Sequence, residues 1–76
     1  MKEHINKILI EKSFLADIKP ELKLKEDLGF DSLNMVELIV ELEDEFNIEF
    51  DESDLDPTKL LTVSQVYGVV EKYVEA

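Results

Sequence analysis

The chain has no cysteine, so it can form no disulfide and offers no thiolate to a metal. With His4 as its single histidine, it also falls short of the nitrogen and sulfur ligands that a zinc site requires, and no metal site is expected. Two glycines and two prolines in 76 residues are too few for a linker and point to regular structure. No apolar run approaches the ~18–20 residues of a membrane span, and the start lacks a signal-peptide pattern. The expected location is therefore cytoplasmic, without membrane insertion. Between Glu26 and Asp56 there is no lysine or arginine, while that stretch carries 13 acidic residues.

The formal net charge is −11. A field of that sign repels phosphate backbones and anionic lipid heads, which argues against nucleic acid and membrane surfaces as partners. It attracts basic patches on other proteins. The charge is uneven: a mixed first third, with six of the eight lysines at or before Lys25, precedes the purely acidic middle. Apolar residues make up 45% of the chain, enough for a core. The length fits a single domain over residues 1–76, and a monomer is expected.

Ile5, Ile8, Leu9 and Leu15 recur at helical spacing and predict an amphipathic helix from about Lys2 to Leu15 or Ala16. Pro20 forbids its continuation. From Asp17 to Phe30 no period is evident, and Leu22, Leu24 and Leu28 are expected to pin this long connection to the core. Gly29 supplies freedom for a positive φ before the next helix.

That helix is the clearest element, capped by Asp31 or Ser32. Met35, Leu38, Ile39, Leu42 and Phe46 form one core stripe on its wheel. Leu33, Val36 and Val40 form a second stripe opposite, fringed by Glu37, Glu41, Glu43 and Asp44. A helix with one core stripe has no need of the other. The second is a protein-docking surface, a face covered by a loop, or a set of scattered exposed apolar residues.

Downstream, a short helical turn capped by Asp51 or Ser53 is expected, limited by Pro57. Thr62-Val63-Ser64-Gln65 matches a capping box, and Val63, Val66, Tyr67, Val70, Tyr73 and Val74 continue at helical spacing. Gly68 inside this helix costs roughly 1 kcal/mol against alanine, which predicts close packing against a neighbour. The expected fold is all-α: a small bundle of three main helices plus one short one, without strand pairing.

Ser32 has no base near it in sequence, and a serine nucleophile needs both a base and oxyanion donors. No catalytic residue is assigned. An EF-hand fails in both registers: from Asp51, positions five and six are Leu55 and Asp56; from Asp54, positions six and twelve are Lys59 and Gln65. From local sequence alone, Ser32 is either a plain helix cap or a displayed attachment point.

Asp27-Leu28-Gly29-Phe30-Asp31-Ser32-Leu33, followed by Val36-Glu37-Leu38 and Leu42-Glu43-Asp44-Glu45-Phe46, resembles the acyl carrier proteins over nearly the whole chain. The resemblance implies a four-helix carrier fold. It also implies a 4′-phosphopantetheine arm on Ser32, within the attachment motif Asp31-Ser32-Leu33, donated from coenzyme A by a phosphopantetheinyl transferase. The chain would then be a carrier rather than an enzyme, holding acyl groups as thioesters for fatty-acid, polyketide or related biosynthesis. Val36, Glu37, Val40, Glu41, Glu43 and Asp44 would meet basic patches on acyl-transferring, ketosynthase-type or ligase enzymes. Leu38, Ile39, Leu42, Phe46, Val66 and Val70 would line a cavity for the tethered chain. Phe30, Asn34-Met35 and a longer Asp51–Leu61 segment depart from housekeeping fatty-acid carriers. Gly29-Phe30 departs from the Gly-Gly of peptidyl carriers, although an aminoacyl carrier remains an alternative, as does an unmodified acidic interaction module.

Overall fold

The computed structural model describes residues 2–13, 15–55 and 60–75. Among them, helices α1 (Lys2–Ser13), α2 (Ser32–Phe46) and α3 (Val63–Val74) surround one core, with a 3-10 turn at Glu52–Leu55. They include no strand. A lone antiparallel bridge joins Lys23 to Thr62.

Helix α1 ends earlier than its apolar spacing predicts. The buried Ser13 turns its hydroxyl to the N–H of Leu15 at 3.4 Å, and Leu15 lies outside the helix. A serine oxygen serving a donor two residues on favours a turn over a further helical step. Ile5, Ile8 and Leu9 enter the core as their period requires.

The long connection is built rather than loose. Ile18, Leu24, Leu28 and Phe30 are all buried, so two more residues anchor it than Leu22, Leu24 and Leu28 alone suggested; Leu22 itself is half-buried. Its backbone also pairs with the start of α3: Leu24 N–H donates to Leu61 O at 2.9 Å, Val63 N–H to Leu22 O at 2.9 Å and Ser64 N–H to Pro20 O at 2.8 Å. Those bonds satisfy groups that a helix start and a coil would otherwise leave orphaned.

Both long C-terminal helices have reciprocal caps. Asp31, not Ser32, caps α2, and Thr62 caps α3 with Gln65 closing the box. Asn47 ends α2 in the left-handed conformation at φ 53°, a role asparagine fills more readily than most residues. The strand-like valines of α3 follow the cap and the helical period instead of their own propensity, because Val63, Val66 and Val70 are each buried on one face. The expected limit of the 3-10 turn at Pro57 lies outside the described residues. Its cap is Asp51, whose Oδ1 accepts from Ser53 N–H at 2.9 Å.

Gly68 corrects an expectation. It is exposed, and a β-carbon there would meet nothing within 4 Å, so no close approach explains it. Gly68→Ala should therefore stabilise the domain by about 0.5–1 kcal/mol through helix propensity alone. Urea denaturation measures this; a lower midpoint in the variant would show that the glycine serves packing after all.

Candidate functional site

The site begins with a turn. Leu28 and Phe30 are buried on either side of Gly29, whose φ of +74° reverses the chain at little steric penalty. Asp31 then takes extended backbone geometry, and its Oδ1 accepts the N–H of Asn34 at 2.8 Å. In return the Asn34 side chain accepts the N–H of Asp31 at 3.3 Å. Asn34, which sequence reasoning had treated only as a departure from a common pattern, is thus the closing member of the box; its place three residues after a capping aspartate was the available signal.

This arrangement leaves the Ser32 hydroxyl out of the cap. Because Asp31 serves as the cap, the serine hydroxyl is not consumed in that role. Ser32 is exposed at the first position of α2, and Leu33 beside it is 65% exposed. The first turn of α2 contains no acid, and the Asp31 carboxylate at its cap is the negative charge that meets the positive end of the helix dipole. A phosphate esterified there would sit where helix N-termini favour negative charge.

Down the outer face, Val36 and Val40 are 56% and 49% exposed, and among the described residues no loop covers them. Glu37, Glu41 and Asp44 are exposed beside them. Glu43 is different: it is half-buried, and its Oε2 accepts the N–H of Phe50 at 2.9 Å. Its carboxylate secures the turn after α2 and is not part of the open margin. Lys12 of α1 reaches Glu37 at 3.4 Å and Glu41 at 3.3 Å.

On the inner face, Leu38, Ile39, Leu42, Val66 and Val70 line a narrow apolar gap of about 10 Å³, room for roughly one water. Phe46, expected with them, is absent from that lining; its ring meets His4 edge-on, 6.1 Å between centroids, because its place on the wheel turns it toward α1. Phe50, Leu55, Leu60 and Val69 complete the wall instead. They come from the segment after α2 and from α3, whose approach no helical period could reveal.

One wall of this gap, the 3-10 turn, is tied down by a buried carboxylate. Asp54 is 6% exposed and accepts Lys72 Nζ at 2.9 Å on each oxygen, together with the hydroxyl of Tyr73. Tyr73 Oη in turn accepts Asp51 N–H at 2.8 Å, and its ring packs edge-on against Phe50 at 5.2 Å. The hydrogen bond to Asp54 raises the pKa of Tyr73 above its ordinary value, and the same carboxylate raises that of Lys72. Among the described residues no group of side chains is arranged to hold a metal ion, and no helix is long and apolar enough to cross a membrane.

Residues 15–70 match the family described as "Phosphopantetheine attachment site". A proposed acyl carrier protein from Mycobacterium tuberculosis superposes with a TM-score of 0.84 at 38% identity, over 93% of this chain and 95% of that one. An acyl carrier protein from Thermotoga maritima gives 0.79 at 29% identity, over 96% and 85%. A chain of the structure described as "The ishigamide ketosynthase/chain length factor" shares the fold at TM-score 0.77 and 24% identity, over 99% of this chain and 94% of that one. The chain belongs to the acyl carrier protein family, whose attached group is phosphopantetheine.

The raised values at Tyr73 and Lys72 carry a sign. The folded state holds both protons more tightly than the unfolded chain, so their contribution is complete below about pH 10 and fades as pH rises beyond it. The urea midpoint should fall as pH rises beyond about 10, and less steeply in Asp54→Asn. Equal pH dependence in the two proteins would remove Asp54 as the cause.

Proposed function

We propose that this chain is a carrier that accepts phosphopantetheine on the Ser32 hydroxyl and takes acyl groups between the enzymes of a fatty-acid, polyketide or related pathway. The single observation that carries this reading is the division of labour at the start of α2. Asp31 performs the capping and Ser32 is left exposed with its oxygen uncommitted. Had Ser32 been the cap, the plain structural explanation of the serine would have sufficed. The family match supports the identity of the group, and the fit is chemical as well: an exposed hydroxyl for the ester, and a helix N-terminus for the phosphate.

When attached, the arm supplies a thiol that holds acyl groups as thioesters. This chain's own residues supply the address. Leu33, Val36 and Val40 offer apolar contact, and Glu37, Glu41 and Asp44 offer charge to a loading transferase and to synthase- or ligase-type enzymes bearing basic patches. Charge of this kind speeds encounter and leaves dissociation fast, which suits a shuttle visiting several enzymes. Catalysis belongs to those partners, and the expected setting is a cytoplasmic monomer.

Ser32→Ala should fold as the parent does and gain no mass on incubation with coenzyme A and a phosphopantetheinyl transferase, while the parent gains one arm. An arm on the alanine variant, or none on the parent with a transferase active on another carrier, would refute the assignment. Asp44→Lys should slow loading at low salt on the order of tenfold with the melting temperature little changed. An unaltered rate would remove α2 from the docking surface.

A further inference from the structure

Lys12 occupies an unusual place for a surface lysine. Its side chain is only 13% exposed, and its ammonium lies 3.4 Å from Glu37 Oε2 and 3.3 Å from Glu41 Oε1. The two carboxylates stand one turn apart on α2, at the margin of the exposed Leu33-Val36-Val40 stripe, and each remains about half exposed at 49% and 48%. Partial burial works against the charge of Lys12, but the bonds to Glu41 and then Glu37 outweigh it and leave its pKa raised. The lysine therefore stays charged throughout the neutral range. Asp44, on the same outer margin, has no ion-pair partner among the described residues.

We infer that Lys12 is an internal competitor for the cations of docking enzymes, holding Glu37 and Glu41 in a pair of its own and thereby setting which acids a partner can use. This rests on the reading of α2 as the docking face. The acidic fringe is divided. Lys12, Glu37 and Glu41 together carry a charge of −1 where the two acids alone would carry −2. A partner lysine or arginine aimed at them has to share or displace an ammonium that is already desolvated and placed. Asp44 is held in no such pair among the described residues, although Lys7 and His4 line the same concavity between α1 and α2. A partner of the right chemistry presents its cation to Asp44 and apolar groups to the stripe, and one that relies on Glu37 and Glu41 is disfavoured by this chain.

A tether between α1 and α2 would use the same contacts, so the test must read docking and not stability. The readout is kcat/KM for arm transfer from coenzyme A by a phosphopantetheinyl transferase at low ionic strength, measured for a double-mutant cycle of Lys12→Met and Glu41→Gln. Methionine keeps the apolar stem of the lysine in place. The cycle cancels the general effect of changing net charge, and Lys19→Gln in the connecting loop reports that effect separately. Lys12→Met should raise kcat/KM at least threefold above the Lys19→Gln value. Glu41→Gln should cost at least threefold more in the Lys12→Met background than in the parent. Lys12→Arg, which keeps the cation, should behave as the parent. Additive effects around the cycle, with Lys12→Met no faster than Lys19→Gln, would overturn the inference while leaving the carrier reading intact. Absence of loading in every protein, the parent included, would overturn both. If Lys12→Met loses helicity, Lys12→Gln completes the same cycle with the same criteria.

Discussion

The hydrogen bond from the Asn34 backbone to the Asp31 carboxylate, 2.8 Å long, is the constraint on which the rest of this molecule depends. A helix start leaves several N–H groups orphaned, and some oxygen has to answer them. Two adjacent residues were both competent to do so. Asp31 takes the role because Phe30 is buried and Gly29 turns the chain, which delivers Asp31 in extended geometry and places Ser32 already inside the helix. The proposed role of Ser32 depends on that register. Shifted by one residue, the serine would be a cap and the exposed stripe of α2 would rotate by about 100° against the core.

The two faces of α2 then serve different purposes on one element. Leu38 and Leu42 are buried, while Leu33, Val36 and Val40 remain open on the opposite side. Exposed apolar residues in a domain this small sacrifice burial that would otherwise stabilise it. The fold offsets this with polar ties at its edges: Lys12 between α1 and α2, the hydroxyl of Tyr67 to Asn6 between α3 and α1, and Asp54 with Lys72 and Tyr73 between the 3-10 turn and α3. Acids are thus assigned two occupations. Asp54 and Glu43 are turned inward to hold turns in place, and Asp44 faces solvent.

Much of this was legible in the residues. The core stripe of α2 and the capping box at Thr62 are local patterns, and a period of 3.6 or a spacing of three reads directly. The choice between Asp31 and Ser32 was not, because both are good caps and the decision came from anchors at Leu28 and Phe30. Asp54 was equally hidden. A carboxylate in an acidic loop reads as a surface group, and its partners lie 18 and 19 residues away on another element. Phe46 fits the inner stripe by period yet meets His4, since only the approach of α1 determines which edge of the stripe faces which neighbour. Glu43 was misread for the same reason: the helical wheel specifies a direction, whereas contacts depend on what stands in that direction. The narrow gap of about 10 Å³ likewise owes half its wall to residues that no single-helix pattern could assemble.

The central claim is that one exposed hydroxyl at the head of α2 is a covalent tether. Its most direct test is fragment mass spectrometry of the protein isolated from its own cells. The account predicts a phosphopantetheine arm, bare or acylated, localised to Ser32 in a substantial fraction of molecules. Native protein that carries no modification at that serine, recovered from cells whose other carriers are loaded, would contradict it.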